Sequence, residues 1–149
     1  MSPETIYYAA IDLGSNSCRL LVVGKNEQGL QTVDAYSRIT RLSEGIVSTG
    51  CISEASQERT LVTLKHMIKR LESKRYTICC VATEACRRAR NTNVFLKRIY
   101  DETGLTFTVI SPEREAQLAV MGLLPLFDEK YPYALTFDVG GGSTEAVLK

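Results

Sequence analysis

Long apolar runs are missing from this chain of 149 residues, and so is any strong net charge. The hydrophobic stretches are far too short to cross a bilayer, which excludes a helical membrane span and leaves no membrane partner to expect. A formal net charge of +1 exerts no global pull on nucleic acid. No specific nucleic-acid site is therefore expected, and any polyanion must be bound locally. Histidine is nearly absent: His66 is the single one, too few for a metal cluster, and its place in an amphipathic stretch points to the surface. The five cysteines, Cys18, Cys51, Cys79, Cys80 and Cys86, are odd in number and lack C-x-x-C spacing. That argues against a disulfide frame or a zinc site, and for reduced, buried or half-buried thiols in a cytoplasmic protein. Met1 to Thr5 show no basic-then-apolar signal pattern and run straight into a predicted strand, which agrees with the cytoplasm. What is present is a globular composition, 44% hydrophobic and 23% charged, long enough for one domain with a real core.

Ile6 to Asp12, Cys18 to Gly24 and Leu30 to Leu42 read as three strands joined by short turns, an antiparallel meander. Ser43 to Ile52 reads as a loop. Ser53 is placed to cap a helix running to about Ser73, with Leu61, Leu64, Ile68 and Leu71 on one face. Tyr76 to Ala82 is a buried strand. Glu84 to Ala89 and Val94 to Asp101 read as helix, interrupted at Asn91-Thr92-Asn93, and Gly104 is a natural stop. Leu105 to Ile110 is a short strand. Ser111-Pro112 starts a helix that Pro125 ends. The order β-β-β-α-β-α-β-α, then a hairpin from Tyr133, predicts a mixed sheet with helices covering its faces.

The stretch Phe137-Asp138-Val139-Gly140-Gly141-Gly142-Ser143-Thr144-Glu145 delivers a carboxylate and then three glycines from a strand. Glycine lets backbone approach a ligand, and consecutive N–H groups at such a turn cradle an anion. The neighbouring carboxylate would repel bare phosphate unless a divalent cation lay between them, so the stretch predicts a Mg²⁺–phosphate site. Alone it would be read as well as a structural hairpin. It is echoed, however, by Asp12-Leu13-Gly14-Ser15-Asn16-Ser17: strand, Asp, apolar, Gly, two small or polar residues, Ser. Two such turns predict two jaws on one phosphate chain, both aspartates facing the metal and both turns offering donors.

Four pieces, A-A-I-D-L-G-S-N-S-C-R-L (9–20), A-T-E-A-C-R-R-A-R-N (82–91), S-P-E-R-E-A-Q-L (111–118) and F-D-V-G-G-G-S-T-E (137–145), together resemble the exopolyphosphatase/guanosine pentaphosphate phosphohydrolase family. That family belongs to the ribonuclease H-like, actin-like ATPase and sugar-kinase superfamily. The resemblance implies an α/β fold: a mixed five-stranded sheet with flanking helices in a first lobe (1–130), and a hairpin (131–149) opening a second lobe that continues past Lys149. It implies a homodimer that releases orthophosphate from polyphosphate or guanosine pentaphosphate. It makes Glu115 the base for water and Arg87 an active-site arginine, with Arg19 near the substrate phosphates. Asp12 and Asp138 become the Mg²⁺ carboxylates, with Glu145 completing the ring. Gly14, Ser15, Asn16 and Ser17 face Gly140, Gly141, Gly142 and Ser143 as phosphate donors. Pro112 stands where the family usually carries a small residue, which bears on helix entry and not on the carboxylate. Arg88 and Arg90 are expected on a solvated helix face, and Cys18, Cys79 and Cys80 as packing residues.

Two other functions fit parts of this pattern. An ATP-dependent phosphotransferase of the same superfamily shares the paired glycine turns, but Ala82 to Asn91 and Glu115-Ala116 favour the hydrolase. A non-catalytic alarmone- or polyphosphate-binding module would have no need of all three carboxylates Asp12, Asp138 and Glu115.

Overall fold

The computed structural model describes residues 6–27, 29–71, 75–128, 130–141 and 144–148, apart from the side chain of Glu145. Strands β1 (Ile6–Leu13), β2 (Ser17–Asn26) and β3 (Gly29–Ile39) form the predicted meander, and β4 (Tyr76–Ala82) and β5 (Phe107–Val109) extend it. The sheet order is β3-β2-β1-β4-β5, antiparallel at β3/β2 and β2/β1, parallel at β1/β4 and β4/β5. Parallel neighbours need crossovers, and helices α2 (Glu54–Leu71) and α4 (Thr92–Thr103) lie in them.

Alternation along the strands decides which face is core. Ala9, Ile11 and Leu13 of β1 and Cys18, Leu20 and Val22 of β2 are buried, and the helices cover them with Leu61, Leu64, Met67, Leu71, Phe95 and Ile99. Met67 takes a core position, while Ile68 only packs against the edge of the cluster. Phe95 is fully buried, so truncating it to Ala costs about 3–5 kcal/mol. The opposite face is open among the described residues, with Tyr8, Ala10, Arg19, Leu21 and Ala35 exposed, so the helices cover one face rather than both.

Several boundaries move for identifiable reasons. β3 stops at Ile39, short of Leu42, because the next two amides, Thr40 N and Arg41 N, both turn to the carbonyl of Asn16 at 2.9 Å. The expected 43–52 loop contains a single helical turn, α1 (Ile46–Thr49), bracketed by Gly45 and Gly50 in left-handed backbone. Ser53 caps α2 as expected, its hydroxyl accepting from Ser56 N at 3.2 Å. After the short α3 (Glu84–Arg88), Asn91 does more than interrupt: its side chain bonds both the N–H and the carbonyl of Ile52. Helix α5 (Pro112–Leu123) starts with Pro at its first position and the Ser111 hydroxyl accepting from Arg114 N, so Pro112 is accommodated without disturbing the turn that carries Glu115.

Strands β6 (Leu135–Val139) and β7 (Thr144–Leu148) form a separate two-stranded sheet. It rests on α5, where Ala116, Ala119 and Leu123 meet Thr136, Phe137 and Val147 around a small crevice. Its apolar residues Leu135, Phe137, Val139 and Leu148 stay largely exposed. No helix among the described residues is long and apolar enough to cross a membrane.

Candidate active site

The turn between β1 and β2 is tied down on all sides. Gly14 N donates to Ser17 O at 3.0 Å, and a Cβ on Gly14 would stand 3.1 Å from that same oxygen. The Asn16 carbonyl takes the two amides that end β3, and the Ser15 carbonyl takes Ser43 N at 2.9 Å. The Ser15 side chain is committed as well: its hydroxyl donates to Glu84 Oε2 at 2.6 Å and accepts from Ala85 N at 3.1 Å. The expected phosphate donor therefore lines the cleft with its proton already given to Glu84. Asp12 lies at the end of β1, directly opposite Arg19 in the antiparallel ladder, on the open face of the sheet.

The second turn repeats the plan. Asp138 lies at the end of β6, opposite Glu145 of β7. A Cβ on Gly141 would stand 2.6 Å from Asn16 Cβ and 3.1 Å from Asn16 N, so the two turns touch through a position that only glycine can hold. Gly142, Ser143 and the side chain of Glu145 lie outside the described residues.

Glu115, in the first turn of α5, accepts from Arg87 Nη1 at 2.8 Å. The same Nη1 donates to the carbonyl of Ile110 at 2.8 Å. Each side chain of the pair is only 19% exposed. Arg87, the arginine expected at the active site, meets it through Glu115 and is not among the residues lining the cleft. The two further arginines are not merely solvated. Arg88 pairs with Glu84 at 2.7 Å, and Arg90 Nη2 donates to the Thr49 carbonyl, closing the end of α1.

Charge is unevenly balanced. Burial pushes the Asp12 carboxyl above its ordinary value of 3.8; Arg19 opposes this, and the carboxylates of Glu115 and Asp138 add to it. Burial also acts upward on Glu84, but the Ser15 hydroxyl, Arg88 and Arg87 outweigh it and hold that carboxyl below 4.5. Burial raises the thiols of Cys18 and Cys86 to about 12 and that of Cys80 to about 11, so none of the three is a nucleophile at neutral pH. Cys79, expected to pack, is exposed.

Asp12, Gly14, Ser15, Asn16, Ser17 and Arg19 from the first jaw and Asp138, Val139, Gly140 and Gly141 from the second line one cleft of about 230 Å³, with Glu115 and Thr83. Thr83 was missed from sequence. The available signal was a hydroxyl residue standing between a strand and a helix, which reads as an ordinary cap. A divalent cation fits this donor set: a second positive charge would offset the burial, and with it the neighbouring carboxylates, that raise Asp12. Among the described residues no three acidic, cysteine or histidine side chains converge as a closed metal cage. Asp12 and Asp138 could hold such an ion only with water completing its shell, which is how Mg²⁺ is usually held.

The fold has counterparts in known proteins. Residues 21–149 match the model of the Ppx/GppA phosphatase family. The structure superposes on the Aquifex aeolicus member of that family with a TM-score of 0.83 and 34% identity, over 98% of this chain and 48% of that one. An exopolyphosphatase from Cytophaga hutchinsonii gives a TM-score of 0.83 at 28% identity, over 95% of this chain and 46% of that one. A bifunctional 3-dehydroquinate synthase/phosphatase of Fusobacterium nucleatum is 35% identical over 94% of this chain and 22% of its own. The chain thus spans about half the length of the solved structures it matches, and it has their actin-like mixed sheet with flanking helices. With the match covering 129 residues of the chain, 21 to 149 inclusive, this protein belongs to the Ppx/GppA phosphatase family.

Proposed function

We propose that the intact protein hydrolyses terminal phosphoanhydride bonds, releasing orthophosphate from inorganic polyphosphate or from guanosine pentaphosphate. The observation that carries this reading is the convergence of Asp12, Asp138 and Glu115 on one cleft walled by two glycine-bearing turns. The Cytophaga hutchinsonii relative is an exopolyphosphatase, which supports a polyphosphate end as substrate. Guanosine pentaphosphate presents the same terminal anhydride.

Water attacks the terminal phosphorus in line; its oxygen forms the new bond as the bond to the bridging oxygen breaks, and that oxygen leaves with the electron pair. Glu115 receives the proton. Its Oε2 is held by Arg87, which leaves Oε1 for the water and keeps the side chain from turning away. Arg19 and the turn amides neutralise the phosphoryl oxygens. Mg²⁺ is the cofactor we assign, with Asp12 and Asp138 holding it and Glu145 as a further carboxylate on the family pattern. When bound it supplies positive charge to the phosphate oxygens.

Orthophosphate release from each substrate, measured with Mg²⁺ and again with excess chelator, tests the reading. Release should vanish with the chelator and fall roughly 100-fold or more in Glu115→Gln. Phosphate transfer that requires an alcohol acceptor, or no release from either substrate, overturns it.

A further inference from the structure

Two hydroxyls border the cleft beside the first turn, Ser15 and Thr83, and each is only 5% exposed. They have exchanged their ordinary duties. Thr83 occupies the N-cap of α3, where a threonine side chain normally accepts from the second or third amide of the helix. It makes no such bond. The second amide, Ala85 N, is instead capped from outside the helix by Ser15 Oγ at 3.1 Å. The Ser15 proton goes to Glu84 Oε2, and Glu84 is in turn fixed by Arg88. The backbone of Thr83 is equally occupied: its N–H donates to Leu13 O and its carbonyl accepts from Arg87 N. Only its hydroxyl has no bond among the described residues.

That hydroxyl is not sealed in the core. The sole buried side-chain N or O without a hydrogen bond among the described residues is Thr40 Oγ1. Thr83 Oγ1 therefore reaches solvent, and the solvent at Thr83 is that of the cleft, shared with Asp12, Gly14 and Glu115. A nearly buried cap hydroxyl that the protein leaves unpaired, while a serine from another element does its work, is available to bond a group that displaces water from the cleft.

We propose that Thr83 is a substrate-binding residue of this site, its Oγ1–H donating to an oxygen of the terminal phosphoryl group, while Ser15 and Glu84 serve to keep that hydroxyl free. The assignment rests on the phosphoanhydride reading given above. Ser15, the obvious phosphate ligand by motif, is a positioning residue.

The test compares Thr83→Val, which removes the hydroxyl at nearly constant volume, with Thr83→Ser, which keeps it, in the intact protein. Tripolyphosphate affinity is read by calorimetry in the presence of Mg²⁺, alongside phosphate release and thermal unfolding. Thr83→Val should weaken binding about 10-fold or more while Thr83→Ser stays near wild type, as expected for a hydrogen bond to a charged group. Thr83→Ala serves the same comparison if the valine protein does not fold. Equal affinity of the folded valine or alanine variant and wild type overturns the assignment, as does an equal loss in the serine variant. If wild type binds tripolyphosphate yet releases phosphate from neither polyphosphate nor guanosine pentaphosphate, the hydrolase reading fails and the affinity comparison still decides Thr83. If wild type does not bind it, both fail.

Discussion

One nitrogen of Arg87 holds Glu115 Oε2 and the Ile110 carbonyl together, at 2.8 Å each. This joins α3 to the entry of α5 at the point where the carboxylate faces the cleft. The two side chains take different places: Glu115 lines the cleft and Arg87 holds it from outside that lining. Arg87→Ala should lower kcat by about 10- to 100-fold through loss of aim. It should also cost about 1–3 kcal/mol in stability by leaving a half-buried carboxylate unpaired. Glu115→Gln should lower turnover roughly 100-fold or more at smaller cost in stability. Steady-state phosphate release and urea unfolding of both variants check this. Arg87→Ala with normal kcat would return the arginine to a packing role.

Gly141 is the point at which the second jaw meets the first. Alanine there would put Cβ 2.6 Å from Asn16 Cβ and 3.1 Å from the Asn16 backbone N, and the Asn16 backbone is anchored by two amides on its far side. The hairpin must give way. Gly141→Ala should weaken tripolyphosphate binding about 10-fold or more while leaving the urea midpoint of the five-stranded domain unchanged. Calorimetry paired with unfolding reads both.

Asp12 and Glu84 should respond to pH in opposite ways. The folded-state pKa of Asp12 lies above 3.8, so its ionisation opposes folding, and stability falls as pH rises through that window. Asp12→Asn should therefore raise Tm at pH 7, lose that advantage below pH 3.8, and be inactive throughout. Glu84 lies below 4.5 in the folded state, so its contribution is present above 4.5 and is lost as pH falls through the folded value. Glu84→Gln should lower Tm at neutral pH and match wild type in strong acid. Thermal scans across pH separate the two.

The thiols supply a test of packing that needs no activity. With Cys18 and Cys86 raised to about 12 and Cys80 to about 11, a mild alkylating agent at pH 7.5 should label Cys79 and Cys51 and spare the other three until the protein is unfolded. Peptide mass mapping reads the sites directly. Early labelling of Cys18 would mean that the core beneath the first jaw opens.

Local chemistry made much of this legible in advance. Apolar runs bounded by turns placed β1 and β2, Ser53 and Ser111 marked helix starts, and the paired Asp-x-Gly turns located both walls of the cleft. What stayed hidden depends on distance in the chain. Ser15 meets Glu84 across 69 positions, Arg87 meets Glu115 across 28, and nothing in either neighbourhood announces its partner. Thr83 was overlooked for a related reason: a cap residue gives no hint that another residue does its capping. Asn91 and Arg90, within a motif read for its chemistry, turn out to fasten the α1 segment. The open face of the sheet went unforeseen because alternation reports that a side chain points away from the core, not whether anything meets it there.

The contact between Asn16 and Gly141 sets a mechanical limit. The Asn16 carbonyl is held by two amides and its Cβ and N are met by a residue without a side chain, so the hairpin abuts a fixed backbone and not a flexible side chain. At this contact the spacing of the two jaws is set by the Gly141 main chain against Asn16 Cβ and N, and a side chain of any size at 141 would push them apart.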